Sequence, residues 1–494
     1  MLFLSEKMIR EAELKAMENV SELNLIDRAA SALFSHLKNF SSVRIYCGKG
    51  NNGSDGYATA ILLSKKGVKV EIVAVYEPKS DACIELYNRA LREGIIIKNG
   101  VDFPTEHFDA VLDAIFGIGL SGEVGGNAEK AISIINAEGG YIVSCDVPSG
   151  MEADTGKALG ECVRADKTIT FTAPKRGMLS NESVDYCGEI VIADVGIPID
   201  YSAVSDNGCV PITDLLVKTM MPRRKRLSHK GSFGTAVIVA GNSQMAGAAA
   251  MAALAAYKSG CGLVKIIAPE SISMVLNILV KEAIIIKAPE KNGVIEPQLT
   301  EDMRDALSKA QAVLVGCGLG KGDHSILISN IINATNAPII IDADGINALR
   351  GNLHIIKNQN VILTPHPLEF SRISGIDVRE IERHRVQYAS NFASEYSVSL
   401  LLKGARSIVA YGGSNKYVSL IATSALSKAG SGDILSGIMV SLASQGLSLT
   451  DSGAAACHVH AKAGLIAEKT IGAYGTTCDD LINNIPIAIK EILN

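Results

Sequence analysis

The ten cysteines (Cys47, Cys83, Cys145, Cys162, Cys187, Cys209, Cys261, Cys317, Cys457 and Cys478) never stand two to four residues apart, so neither a zinc knuckle nor a CxxC redox pair can be written. Such usage fits a reducing compartment, with the thiols as small core residues. No uninterrupted apolar run reaches the roughly 18–20 residues that a membrane span requires. The opening stretch MLFLSEKMIREAELKAMEN carries charges every few positions, where a secretory signal would be apolar. A cytoplasmic location is therefore expected. Aromatic residues are 5% of the chain, and none interleaves the basic cluster Arg223, Arg224, Lys225, Arg226 and Lys230. That cluster reads as a solvated linker, and no nucleic-acid partner is expected.

Hydrophobic residues are plentiful at 47%, against 20% charged, which describes a globular chain with large cores. The 494 residues imply two to four domains at roughly 100–200 residues each. Charge is uneven. Residues 1–210 hold 20 Lys and Arg against 30 Asp and Glu, and residues 211–494 hold 27 against 22.

From residue 43 the pattern alternates short apolar strands with helices, the arrangement of a mostly parallel sheet covered on both faces. Strands are predicted at 43–47, 68–75, 110–116 and 141–145, with a loop at 48–56 and a helix at 57–66. The segment 200–233 breaks the rhythm. It resumes with strands predicted at 235–240, 263–268, 312–315, 338–341, 361–363 and 399–402, which places a domain boundary near residue 213. The Ala-rich stretch 246–258 predicts a helix packed closely on a sheet. Ligands of such sheets bind beyond the carboxyl ends of the strands, so the strand ends are where chemistry is expected.

In the first half, GKGNNGSDG (48–56) sets glycines, two Asn and Asp55 before a helix. Glycine permits close backbone approach, and N–H groups at a helix start favour an anion, so an acidic domain could still hold a phosphorylated ligand. Asp113 ends one strand before GIGLSGEVGG, and Asp146 ends the next in CDVPSG. Either could be a turn former. Three carboxylates converging on one rim favour function, and oxygen ligands from Asn, Asp and Ser suit a hard cation.

In order and spacing, NNGSDG, DAIFGIGLSGE and DVPSG resemble the NAD(P)H-hydrate epimerase family across residues 1–213. The resemblance implies a Rossmann-like three-layer αβα domain that interconverts R- and S-NADHX and NADPHX. Substrate would be bound by Asn51, Asn52, Gly53, Ser54, Asp55, Gly117, Ile118, Gly119, Leu120, Ser121, Gly122, Glu123 and Asp146. Potassium would sit on Asn52, Asp113 and Ser149. Ser54 departs from the usual glycine of NNGGDG. Epimerisation calls for a proton donor and acceptor at the hydrated carbon, and Asp55 and Asp146 are the candidates.

In the second half, AGSGD places two glycines and then Asp433 at the predicted start of a helix. Backbone N–H groups there make an anion hole, with a carboxylate beside it as in general-base kinases. The same Asp could merely favour the helix dipole. Further polar clusters follow other strands: Gly316, Gly318 and Gly320; Asp342, Asp344 and Asn347; Thr364, His366 and Glu369; Lys403 and Gly404. A single cleft requires this shared position.

With SHKGSFG, GCGLG, IDADGINAL, TPHPLEF and LKGARS, these motifs resemble the ADP-dependent NAD(P)H-hydrate dehydratases of the ribokinase-like superfamily across residues 214–494. The resemblance implies a second αβα domain that converts S-NAD(P)HX to NAD(P)H with ADP and Mg2+, giving AMP and phosphate. Gly318, His366 and Asp433 would contact the hydrate, with Asp433 catalytic. Lys403, Gly404, Ala405, Arg406, Ser407, Gly430, Ser431 and Gly432 would bind ADP. Cys317 replaces the proline usual in GPGLG. Relatives assemble, so a homo-oligomer is expected. The competing reading is a ribokinase-like small-molecule kinase fused to a non-catalytic binding module.

Overall fold

The computed structural model describes residues 2–101, 106–199, 208–412 and 416–494. Residues 200–207 of the rhythm-breaking segment lie outside them. The chain divides into two units, Met1–Pro211 and Ile212–Asn494.

Unit one is built on strands β1 (Ser42–Cys47), β2 (Lys69–Ala74), β3 (Ile96–Asn99), β4 (Ala110–Ala114), β5 (Tyr141–Cys145), β6 (Lys167–Phe171) and β7 (Glu189–Ala193). Their spatial order is β3-β2-β1-β4-β5-β6-β7, every pair parallel. Alternate side chains serve opposite faces, as the two-residue strand period requires. Val43, Ile45 and Cys47 of β1 join one core with the helices Glu22–Leu37 and Asn51–Lys65, and Tyr46 joins the other with Asn127–Ala137. This is a three-layer αβα arrangement. The predicted strand 110–116 stops at Ala114, because Asp113 turns its carboxylate to the backbone N–H of Ile115 and closes the strand.

The predicted loop 48–56 is a correction. Its second half is helical from Asn51 onward. Two glycines in a helix cost about 1 kcal/mol each relative to alanine. Here they let the helix meet the sheet: a Cβ at Gly53 would lie 2.2 Å from the Gly48 carbonyl oxygen, and one at Gly56 would lie 2.9 Å from the Ala114 Cβ.

The division falls inside β8 (Cys209–Ile212). Unit two continues with β9 (Thr235–Val239), β10 (Leu263–Pro269), β11 (Ile284–Ala288), the small antiparallel pair β12 (Glu290–Lys291) and β13 (Val294–Ile295), β14 (Ala312–Val315), β15 (Ile339–Ile341), β16 (Val361–Leu363), β17 (Ser399–Leu402), β18 (Ile408–Tyr411) and β19 (Lys416–Ser419). Its main sheet runs β11-β10-β9-β14-β15-β16-β17-β18-β19, parallel as far as β17 and antiparallel beyond. β14, β15 and β16 are buried at every residue, as both-face coverage demands.

The Ala-rich helix Ala246–Lys258 packs chiefly on another helix, Ser431–Ser444, and less on the sheet that the sequence predicts. Small residues on both sides allow the backbones to close: a Cβ at Gly437 would come within 2.2 Å of the Ala252 oxygen. Residues 223–230 are exposed, yet Arg224 is anchored. It donates to the Gly260 oxygen (2.9 Å) and lies 3.5 Å over the Phe233 ring. Among the described residues no helix is long and apolar enough to cross a membrane.

Candidate active sites

Where the strand order reverses, connections leave to opposite faces and a crevice opens at the carboxyl ends. In unit one this point lies between β1 and β4, and a cleft of about 400 Å3 occupies it. Asn51, Asn52, Asp55, Gly117, Ile118, Gly119, Leu120 and Asp146 line the cleft. Gly53 and Ser54 are buried in the helix behind it, while Ser121, Gly122 and Glu123 are exposed beyond its lining.

Asp55 is buried, with Cys145 Sγ 3.9 Å from Oδ2. Burial first, then the carboxyls of Asp146 and Glu13, hold its pKa well above the ordinary carboxylate range. Asp146 follows β5 with φ 65°, a conformation an L-residue adopts only under constraint. Its Oδ1 accepts from the Phe171 N–H (3.0 Å) and forms an ion pair with the buried Lys175 ammonium. The two aspartates thus differ in surroundings: Asp55 is buried near other carboxyls, and Asp146 is paired with a cation.

Beneath the cleft, Asp113 is fully buried. It accepts from Ser149 N (2.8 Å), Ser149 Oγ (2.5 Å), Ser144 Oγ (2.8 Å) and Ile115 N (3.3 Å). All four donors are neutral. Burial therefore dominates and raises its pKa, against the pull of the Ser149 and Ser144 hydrogen bonds. Asn52 donates to the Phe116 carbonyl (2.8 Å), which also lies 3.3 Å from Ser149 Oγ. Asn52 and Ser149 therefore meet at one carbonyl oxygen, and Asp113 joins them through Ser149.

In unit two the order reverses between β9 and β14. Asp342, after β15, is buried and accepts from Lys403 Nζ (2.8 Å), Thr364 Oγ1 (2.7 Å) and Ser436 Oγ (2.8 Å). Burial opposes its charge, but Lys403 and these hydrogen bonds outweigh it and the pKa falls. Lys403 mirrors this: burial disfavours its charge, and Asp342 and Glu369 more than restore it. Asp433 is the third residue of the helix Ser431–Ser444, so the expected start moves back by two positions. Ligand atoms of Cys317, Asp342 and Asp433 lie within 4.8 Å of one another. Burial and then Asp342 raise the Asp433 carboxyl to about 7.

The helix N-terminus faces this cluster. A Cβ at Gly432 would sit 3.6 Å from Lys403 Nζ, and Gly430 (φ 93°) caps the helix in a left-handed turn. Ser431 Oγ lies 3.2 Å from Nε2 of the buried His460, which burial and then Lys403 depress to about 4 and so keep neutral. Gly318 offers its carbonyl to Asn242 Nδ2 (3.0 Å). His366 caps the helix Pro367–Ser374, its Nδ1 accepting from the Glu369 N–H (3.3 Å) while its side chain stays 46% exposed, so capping and ligand contact are compatible. Gly404 and Ala405 are exposed, and Ser407 Oγ closes the turn onto the Gly404 oxygen (2.8 Å). Arg406 points inward, donating to the Leu420 oxygen (2.7 Å), and is fully buried.

A family model described as NAD(P)H-hydrate dehydratase matches residues 236–487, and one described as YjeF-related protein N-terminus matches residues 22–177. A bifunctional NAD(P)H-hydrate repair enzyme of Dictyoglomus turgidum is 32% identical over 99% of both chains. The counterpart of Coxiella burnetii is 32% identical over 98% of both. The chain belongs to the bifunctional NAD(P)H-hydrate repair enzyme family. Among solved structures, the Bacillus subtilis ADP/ATP-dependent NAD(P)H-hydrate dehydratase co-crystallised with ATP and Mg2+ is 26% identical. It covers 57% of this chain and 99% of its own length, with a TM-score of 0.50.

Against that family background, the sequence reading missed Lys175, Arg10 and Glu13 in unit one, and Ser436, His460 and Arg385 in unit two. Lys175 stands in TAPKRG after β6, a polar cluster at a strand end like the others, but β6 was not among the predicted strands. Arg385 donates to the Leu402 (3.2 Å) and Lys403 (2.9 Å) oxygens from a distant helix and holds the Lys403 turn in place. No local pattern announces it.

Proposed function

We propose that unit one epimerises R- and S-NAD(P)HX and that unit two dehydrates the S form with ADP, returning NAD(P)H, AMP and phosphate. The observation that carries this reading is the Asp433 carboxyl, poised near neutrality beside a helix N-terminus and an ammonium group. Asp433 takes the proton of the hydrate's hydroxyl as that oxygen attacks the terminal phosphoryl group of ADP, releasing AMP. Lys403 and the N–H groups of Ser431 and Gly432 neutralise the transferring group. The ring nitrogen lone pair then expels phosphate, and proton loss from the neighbouring carbon restores the double bond. Magnesium supplies charge neutralisation on the nucleotide. Because Asp342 is already saturated by Lys403, Thr364 and Ser436, the ion would ride mainly on the phosphates, as magnesium commonly does.

In unit one, Asp55 enters protonated and delivers its proton to the hydroxyl, which leaves as water while the nitrogen lone pair forms a C=N bond. Water returns to either face, with Asp146 as its acceptor and orienting partner, and the proton is handed back to Asp55. Asn52, Asp113, Ser149 and the Phe116 carbonyl suit potassium: the donors are hard oxygens, and the buried Asp113 charge has only neutral partners. The ion would supply the counter-charge and fix the 116–119 turn.

The deciding experiment offers the full chain a mixed R/S hydrate with ADP and follows recovery of reduced-cofactor absorbance. Complete conversion is expected. Conversion that stalls once the S form is consumed removes the epimerase, and accumulation of a stable phosphorylated product makes unit two a kinase.

A further inference from the structure

The helix Glu6–Met17 lies before the stretch that the YjeF-related N-terminus model matches, and nothing in the motif reading gives it a role. Its residues divide by helical period. Ile9 and Ala16 are buried; Lys7, Glu11 and Leu14 face outward; Arg10, Glu13 and Met17, spaced three and four apart on one face, line the unit-one cleft. The helix is fixed there. Ser5 caps it, the Glu6 N–H is held by Asp154 Oδ1 (2.8 Å), and Leu4 exchanges backbone hydrogen bonds with the segment carrying Lys175 (Leu4 N to Pro174 O, 2.9 Å; Arg176 N to Leu4 O, 2.8 Å). The partner of Asp146 and this wall of the cleft are therefore one braced piece.

The wall is polar in a graded way. The Arg10 guanidinium lies across the second glycine turn, close enough that a Cβ on Gly119 would meet its Nη2 at 2.8 Å. Lys49, at the first glycine turn, also lines the cleft, so cations stand at both backbone turns that present N–H groups. Deeper along the same helix face, Glu13 is half-buried. Burial and then Asp146 push its pKa up, while Lys175 and Arg10 pull it down. Asp55, Asp146 and Glu13 thus make the interior acidic, suited to a ring that becomes cationic as its hydroxyl departs.

We propose that this helix is a working wall of the epimerase site, with Arg10 binding a phosphate of the dinucleotide at the mouth and Glu13 facing the cationic ring inside. The inference rests on the epimerase reading of unit one. Arg10 forms bonds that are equal in ground and transition states, so its loss acts on KM. Glu13 acts on charge that develops only during reaction, so its loss acts on kcat.

The test measures R-to-S conversion by the full chain, with dehydration of the S form as an internal control and thermal melting to verify folding. Arg10→Ala is expected to raise KM for R-NADHX about tenfold with kcat little changed, and Arg10→Lys to recover part of it. Glu13→Gln is expected to lower kcat about tenfold or more with KM little changed, and Glu13→Asp to lie between. On the dephosphorylated nucleoside hydrate, Arg10→Ala should match the parent chain, which a merely structural role would not produce. If both variants keep both constants, or lose them alike on both substrates, the wall is passive and the inference falls while the epimerase stands. If the parent chain itself converts R no faster than the spontaneous rate, the epimerase reading falls and this goes with it.

Discussion

Asp113 in unit one and Asp342 in unit two are both buried carboxylates at the carboxyl ends of a parallel sheet: Asp113 ends β4, beside the point where strand order reverses, Asp342 follows β15, one strand further from it, and each is at most 1% exposed. Their partners differ. Asp113 is held by two serines and a backbone N–H, with no cation among them, whereas Asp342 has Lys403 at 2.8 Å. The pKa moves up at the first and down at the second. A buried carboxylate must be neutralised; unit two carries the counter-charge in its chain, and in unit one the proposed potassium ion would supply it.

The largest effect expected across this comparison belongs to Asp433, whose carboxyl lies within 4.8 Å of that of Asp342. Asp433→Asn keeps the shape and removes the base, so dehydration should fall by about 10²–10⁴ while epimerisation of the same chain stays at the parent rate. Loss of both would break the independence of the two sites. Next comes Asp342→Asn, which strands the Lys403 charge with only Glu369 at 3.9 Å. Breaking a buried pair on one side costs about 3–5 kcal/mol, and a value near 3 is expected here from chemical unfolding. Lys403→Met in the same chain should return part of that stability without returning activity.

The corresponding change in unit one should cost little stability and instead alter ion dependence. The parent chain is expected to epimerise faster in potassium than in lithium at equal ionic strength. In Asp113→Asn the two salts should give the same reduced rate. An Asp113→Asn chain that still responded to potassium would move the ion elsewhere.

How far the two sites could be read beforehand follows from the same contrast. Strand ends were legible because apolar runs stopped at polar or glycine clusters, and that pattern pointed to Asp55, Asp113, Asp146, Asp342 and Lys403, while the glycine turn before a helix pointed to Asp433. The helix from Asn51 was not, because Asn and Gly argue against a helix locally, and only the approach to Gly48, Cys47 and Ala114 favours one. Counter-charges were the least legible part. Lys175 and Arg385 reach their partners across 29 and 17 or more residues of sequence, and such pairs exist only once the sheet has formed.

Titration sharpens the comparison further. As the proposed base, Asp433 must be ionised to act, and with its carboxyl raised to about 7 the dehydration rate should fall about tenfold per pH unit below that value and level off above it. As the proposed acid, Asp55 has the opposite need, being useful when protonated. Its raised pKa keeps epimerisation running through the range where dehydration has already declined. A pH profile that falls on the acid side for both activities together would contradict this division.

The smallest effect lies outside both sites and separates buried from open electrostatics. Asp214 accepts from His458 Nε2 and Lys462 Nζ, both at 2.6 Å, and these hydrogen bonds, His458 first, bring its pKa to about 2 although its side chain is 47% exposed. A carboxyl depressed on folding stabilises the protein at all pH values above its unfolded pKa of about 3.9, and that contribution fades as pH falls toward 2. Solvent screening reduces the worth of so exposed a pair to about 1 kcal/mol. Asp214→Asn should therefore lower stability by about that amount at pH 7 and by nothing measurable at pH 2, in chemical unfolding followed by far-ultraviolet circular dichroism. Because Lys403 and Asp342 are shielded from solvent, added salt should weaken the Asp214 contribution and leave theirs unchanged.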